Sequence, residues 1–204
     1  MKINFSQITT QELAQELINR TDLVQPNGLL SPDVFTLRAK LGPIICTDGI
    51  PVRMHEGVLQ GGLIRRNTGI YRGTLCIIGG TVGLGETVDA ALRRHFHTDI
   101  GKNITFLDPL GIKQPISVYQ YYGEGLTKPF LPEPTKHAVT LTYLVSIEDG
   151  NFIFGSSEYG QEASAFEWHS DESCPDAEEF GYGTHDIFLE CLLLASSFFR
   201  IDEH

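Results

Sequence analysis

The run GGTVGLGETVDAALRRHFHTDIG, Gly79 to Gly101, constrains this chain more than any other feature. A short apolar stretch, GTLCIIGG, ends in glycines, and a helical pattern follows from Thr87 to about Ile100. Glycines let a backbone come close to a ligand, and the free N–H groups at a helix start favour anions. The residues exclude two familiar versions of such a bend. A nucleotide phosphate loop would need Gly-Lys-Ser/Thr, and Glu86 follows Gly85 here. A dinucleotide fingerprint needs G-x-G-x-x-G, whereas Gly80, Gly83 and Gly85 give G-x-x-G-x-G.

The helix can be read on its own. At about 100° per residue, Val88, Leu92 and Phe96 share a face with Ala91 beside it, and this stripe is expected in the core. His95 and Asp99 lie one turn apart on one side. Such a pair is either a structural ion pair or the flank of a ligand or metal site. Its place just after the glycine bend favours the second reading. Arg94 falls at the edge of this face, and Arg93 and His97 are expected to face solvent.

Gly80 is followed after five residues by Glu86, and Glu86 after seven by Arg94. Phe96 and Gly101 then complete the register. This spacing resembles G-x5-E-x7-R-E-U-x-E-E-x-G-U (U apolar), the motif of the Nudix hydrolases. The box is degenerate: His95, Thr98 and Asp99 stand where the three acids belong, and Lys102 takes the last apolar position. The resemblance implies an α/β/α sandwich around a mixed sheet, and a Mg²⁺-dependent hydrolase (Mn²⁺ as alternative) of a nucleoside diphosphate linked to another group. Its metal ligands would be the Gly80 carbonyl, Asp99 and Glu162. Its catalytic groups would be His95, Asp99 and Glu162, with Asp48 and Glu162 rivalling His95 as base.

Further segments resemble GDP-mannose mannosyl hydrolase, which also carries an incomplete box. GPIICTDGIPV is similar to its first strand, with Asp48 as a substrate-contacting acid. LIRRNTGIYRG is similar to its arginine-bearing strand, with Arg66 as counterpart. HAVTLTYLV is led by His137, and QEASAFEW places Glu162 as a metal ligand. The resemblance therefore assigns Asp48, Arg66, Arg94 and His137 to the substrate, an NDP-sugar being one choice. The pattern GGTVGLGETVDAALRRH, KHAVTLTY and FGYG is also similar to an uncharacterised bacterial Nudix-type family. Loss of two acids leaves a second reading open, a catalytically inactive module that binds a nucleotide or nucleotide-sugar.

The remaining chain fits an α+β domain. Thr9 or Thr10 can cap a helix to about Arg20, and Ser31-Pro32 opens a second that Gly42-Pro43 closes. Residues 1–42 are thus expected as a helical extension and 43–204 as the Nudix-like domain. IICTDGIPVRM, GVLQGGLIRR, QPISVYQYY, HAVTLTYLVSI and AFEWHS read as strands, SDESCPDAEEFGYG as an acidic loop, and HDIFLECLLLASSFFR as a closing helix.

The formal net charge of −11 argues against nucleic acid as a partner, yet six of the nine arginines fall between Arg53 and Arg94. That placement suits an anionic ligand. Four scattered cysteines form neither a zinc nor a disulfide framework. The N-terminus lacks an apolar signal core, and no run is long enough to span a membrane. A cytoplasmic protein, homodimeric by analogy with related enzymes, is the expectation.

Overall fold

The computed structural model describes Thr9, Gln15 and residues 30–108, 113–122, 131–132, 136–148, 150–157 and 160–199. The helix expected up to Arg20 lies outside these, apart from Thr9 and Gln15. Helix α1 (Pro32–Leu41) starts at Ser31 with proline in its first turn, as the sequence indicates. Its Phe35 and Ala39 pack on a small cluster of Ile44, Cys46, Tyr121 and Ala138.

Strand β1 (Ile44–His55) organises the sheet. Its first part runs parallel to β8 (Ala138–Ile147), from Ile44 beside Ala138 to Pro51 beside Val145. Its end turns at Glu56-Gly57 into antiparallel β2 (Val58–Arg66). Along its middle, Cys46 to Gly49 pair with β4 (Ile78–Thr81), which follows the two-residue β3 (Leu75–Cys76). Strands β5 (Ile104–Phe106), β6 (Ser117–Tyr122) and β7 (Leu131–Pro132) extend the β8 side. The short pair β9 (Ser156–Ser157) and β10 (Gly160–Gln161) precedes β11 (Ala163–His169), which pairs with β2. Parallel and antiparallel neighbours coexist, so the sheet is mixed.

Helices cover both faces. Leu92, Phe96 and Ile100 of α2 (Val88–Ile100) pack with Ile64, Ile78, Tyr143 and Val145. Ile187, Phe188, Cys191 and Leu192 of α3 (His185–Phe199) pack with Ile50, Val52, Leu63 and Leu144. Each large apolar side chain removed from water here contributes about 1.5–3 kcal/mol. The result is the expected α/β/α sandwich. Among the described residues no helix is long and apolar enough to cross a membrane.

Helix α2 ends as its sequence dictates. Thr87 caps the start by accepting from the Ala90 N–H, and Asp89 complements the positive end of the helix. Gly101 takes the left-handed conformation at the other end, while the Lys102 N–H reaches back to the Phe96 carbonyl. Lys102, in an apolar slot of the box, is buried. Its ammonium lies 4.8 Å from the Phe152 ring and donates to the carbonyls of Glu148 and Gly150.

Candidate functional site

The glycine bend is shaped by what presses on it. Gly79 lies against the Thr47 carbonyl and the Asp48 side chain, and any Cβ there would overlap both. Gly80 faces the His95 ring, whose Cε1 would stand 2.7 Å from an added Cβ. Gly79→Ala is therefore expected to cost about 2–3 kcal/mol, because a strand backbone cannot step aside as a side chain can. Urea denaturation measures this, and wild-type stability would contradict it.

The far end of the bend is locked by one ion pair. Arg94 Nε donates to Glu86 Oε1 and Arg94 Nη2 to Glu86 Oε2, both at 2.8 Å. The same Nη2 donates to the Thr81 carbonyl, and the Gly83 N–H donates to Glu86. Arg94 was expected on the substrate. In the fold these donors go to Glu86 and the Thr81 carbonyl, so that Arg94 holds an acid in place.

Bend, helix and sheet enclose a cavity of about 510 Å³. Gly79, Gly80 and Thr81 line it from β4, and Arg94, His95, Thr98 and Asp99 from α2. Asp48 and Cys46 of β1, Arg66 of β2, Glu162, Tyr121 and Tyr182 complete much of the wall. The structure thus brings together His95, Asp99, Glu162, Asp48, Arg66, Arg94 and Gly80, which the sequence placed in the site. It does not bring His137. Strand alternation puts Lys136, Ala138 and Thr140 on the cavity side, while the His137 carbonyl accepts from the Ile44 N–H.

Burial decides the electrostatics. His95 and Asp99 share the cavity but form no ion pair; His95 Nε2 instead lies 3.3 Å from the Thr81 carbonyl. Since a carbonyl only accepts, Nε2 carries the proton. Burial, then the Arg94 charge, lowers the His95 pKa to about 4. The expectation of His95 as base at its ordinary pKa is corrected accordingly: an imidazole this weakly basic is poorly matched to neutral pH. Nitrogen NMR of the ring should show one neutral tautomer throughout pH 5.5–8; titration near 6.5 would contradict this.

Asp99 is pushed up to about 7 by burial and then by the Glu162 charge, against Arg66 and Arg94. Asp48 is also pushed to about 7 by burial, against Lys136. Glu162 is held by Arg66 Nη2 at 2.8 Å and by the Thr68 hydroxyl.

Residues the sequence reading left aside also reach the site. Lys136 lines it beside the expected His137, and Tyr182 enters from the segment read as acidic loop. Tyr182 has φ 57, a conformation uncommon for a non-glycine residue, between Gly181 and Gly183. Its ring lies 4.2 Å from that of Tyr71 and 5.4 Å from the Arg66 guanidinium carbon. The glycines bracketing Tyr182 were the available sequence signal.

Residues 25–191 match the family model described as Domain of unknown function (DUF4916). The chain belongs to this DUF4916 family. Solved structures of Nudix proteins share the fold of this DUF4916 chain. A candidate asymmetric diadenosine tetraphosphate hydrolase from Jonesia denitrificans is 27% identical, with TM-score 0.60 over 76% of this chain and 96% of that one. The Nudix domain of NrtR from Shewanella oneidensis, solved with ADP-ribose, is 13% identical, with TM-score 0.51 over 92% and 99%. A Nudix hydrolase from Nitrosomonas europaea is 16% identical, with TM-score 0.52 over 74% and 71%. No curated protein matches. The narrower likeness to GDP-mannose mannosyl hydrolase rests on the sequence pattern alone.

Proposed function

We propose that the protein binds a nucleoside diphosphate linked to a second group and hydrolyses it with one divalent cation, Mg²⁺ or Mn²⁺. The observation that carries this reading is the convergence of the glycine bend, Asp99 and Glu162 on one cavity of about 510 Å³. That volume suits a ligand of nucleotide size. The Jonesia denitrificans relative, a candidate diadenosine tetraphosphate hydrolase, and the ADP-ribose complex of the Shewanella oneidensis domain support the substrate class.

The donor set fits one such cation. Among the described residues no three His, Cys, Asp or Glu side chains gather as a metal cluster. Two carboxylates do approach, close enough that the Glu162 charge raises Asp99. A divalent cation would relieve that repulsion, and Mg²⁺ is commonly held by one or two carboxylates plus water and substrate phosphates. Asp99 and Glu162 would hold it with the Gly80 carbonyl. When bound, it would supply charge neutralisation at the phosphate oxygens.

The chain's own residues supply the rest. Glu86 and Arg94 keep the bend open to a phosphate, and Arg66 fixes the Glu162 carboxylate. The Asp48 carboxylate makes no hydrogen bond among the described residues, and its pKa of about 7 suits a group taking a proton from water at neutral pH. Water adds to the diphosphate-linked centre, its proton passes to Asp48, and the bond to the leaving group breaks.

One observation favours a second reading: Glu162 already has cationic and hydroxyl partners, as it would in a module that binds without cleaving. A panel of NDP-sugars, ADP-ribose and dinucleoside polyphosphates, with Mg²⁺ or Mn²⁺, separates the two. The proposal expects metal-dependent release of NDP, or of NMP with a sugar phosphate. Tight binding unaffected by EDTA, with no product, would replace it by the second reading.

A further inference from the structure

Resting on that reading, we propose that Lys136 forms a metal-independent phosphate subsite at the α1 end of the cavity. Three cations line this cavity, and two are committed. Arg66 pairs with Glu162 and Arg94 with Glu86, each at 2.8 Å. Lys136 has no carboxylate within ion-pair distance among the described residues. Its ammonium lies 5.9 Å from the Phe35 ring of α1, within cation–π range.

Asp48 feels the charge of this lysine but lies outside ion-pair distance of it. The lysine's charge acts on both Asp48 and His95, and all three residues line the cavity. Cations paired with acids cancel locally. The remaining positive charge is a point charge on a flexible stem, facing a cavity that also offers the Gly79–Gly80 backbone and the Thr140 side chain. Lysine ammonium groups of this kind bind phosphate oxygens without needing a planar partner. Because Lys136 belongs to neither ion pair and is not among the proposed cation ligands, its contribution does not depend on the divalent cation.

The test is calorimetric titration of the full chain in EDTA with inorganic pyrophosphate, ADP and adenosine as probes. Wild type should bind pyrophosphate and ADP, with affinity falling as salt rises. Lys136→Gln should weaken both about tenfold, the loss of one charge-assisted contact. Lys136→Arg should restore most of it, and adenosine should be indifferent to either change. Equal melting temperatures of the variants show that folding is intact.

Unchanged pyrophosphate and ADP affinity in Lys136→Gln would overturn the subsite while leaving the hydrolase reading in place. ADP binding only when Mg²⁺ is present would overturn it in the same way. Lys136-dependent pyrophosphate binding without turnover of any nucleotide would support the subsite and end the hydrolase reading instead.

Discussion

Asp99→Asn is expected to lower divalent-dependent hydrolysis by at least about 100-fold and, at the same time, to raise stability above pH 7. The two effects share one cause. Asp99 is nearly buried at 5% exposure and faces a second carboxylate, so its charged form is disfavoured in the apo fold. Its folded pKa of about 7 lies above the ordinary 3.8. The unfolded chain therefore binds fewer protons than the native one between those values, and native stability falls as pH rises through that window. Removing the charge removes the penalty, and with it a proposed cation ligand. Asp48, raised in the same way, leaves a residual slope of the same sign. Melting temperatures at pH 5 and pH 8, with Mg²⁺ absent, measure the stability effect, and product release measures the loss of hydrolysis. A variant with unaltered turnover would remove Asp99 from the site. One destabilised at pH 8 would show that its carboxylate is a structural partner instead.

Arg94→Met should cost about 2–3 kcal/mol at neutral pH and loosen the bend. The substitution keeps much of the stem but leaves Glu86, a partly buried carboxylate, without its bidentate partner. Glu86 sits below its ordinary value of 4.5, chiefly through the Arg94 hydrogen bonds and also through the Gly83 N–H. For a depressed acid the stabilisation is present above about 4.5 and is lost as pH falls through the folded value. The difference between wild type and Arg94→Met should therefore shrink below pH 4. Urea denaturation at pH 7 and pH 3.5 reads this directly. A difference that persists undiminished at pH 3.5 would mean that Arg94 stabilises through packing and not through Glu86.

Much of the architecture was legible in the sequence because local chemistry and global fold agree. Thr87, Gly101 and the Val88–Leu92–Phe96 stripe fix α2 at both ends and on its buried face. Ser31-Pro32 and Gly42 do the same for α1, and β-branched runs mark β1, β2, β6 and β8. Strand β5 was not legible, because three residues between a helix cap and a loop carry no periodicity. Site membership followed from the Nudix-like spacing for Gly80, His95 and Asp99.

Residue roles were harder to read. Whether Arg94 meets a ligand or Glu86 depends on which anion lies nearer, and His95 loses basicity through burial that no spacing reports. His137 and Lys136 differ by one residue, hence by one strand face. Tyr182 reaches the cavity from far along the chain, through a left-handed residue that pattern reading leaves in a loop.

We propose that the glycine bend, Asp99 and Glu162 form one diphosphate site. A crystal structure with Mn²⁺ and a non-hydrolysable α,β-methylene nucleoside diphosphate tests it most directly. An anomalous peak shared by Asp99 and Glu162 is expected, with the phosphonate groups against Gly79–Gly80. Nucleotide bound elsewhere on the surface, with the cavity closed by its own side chains, would contradict it.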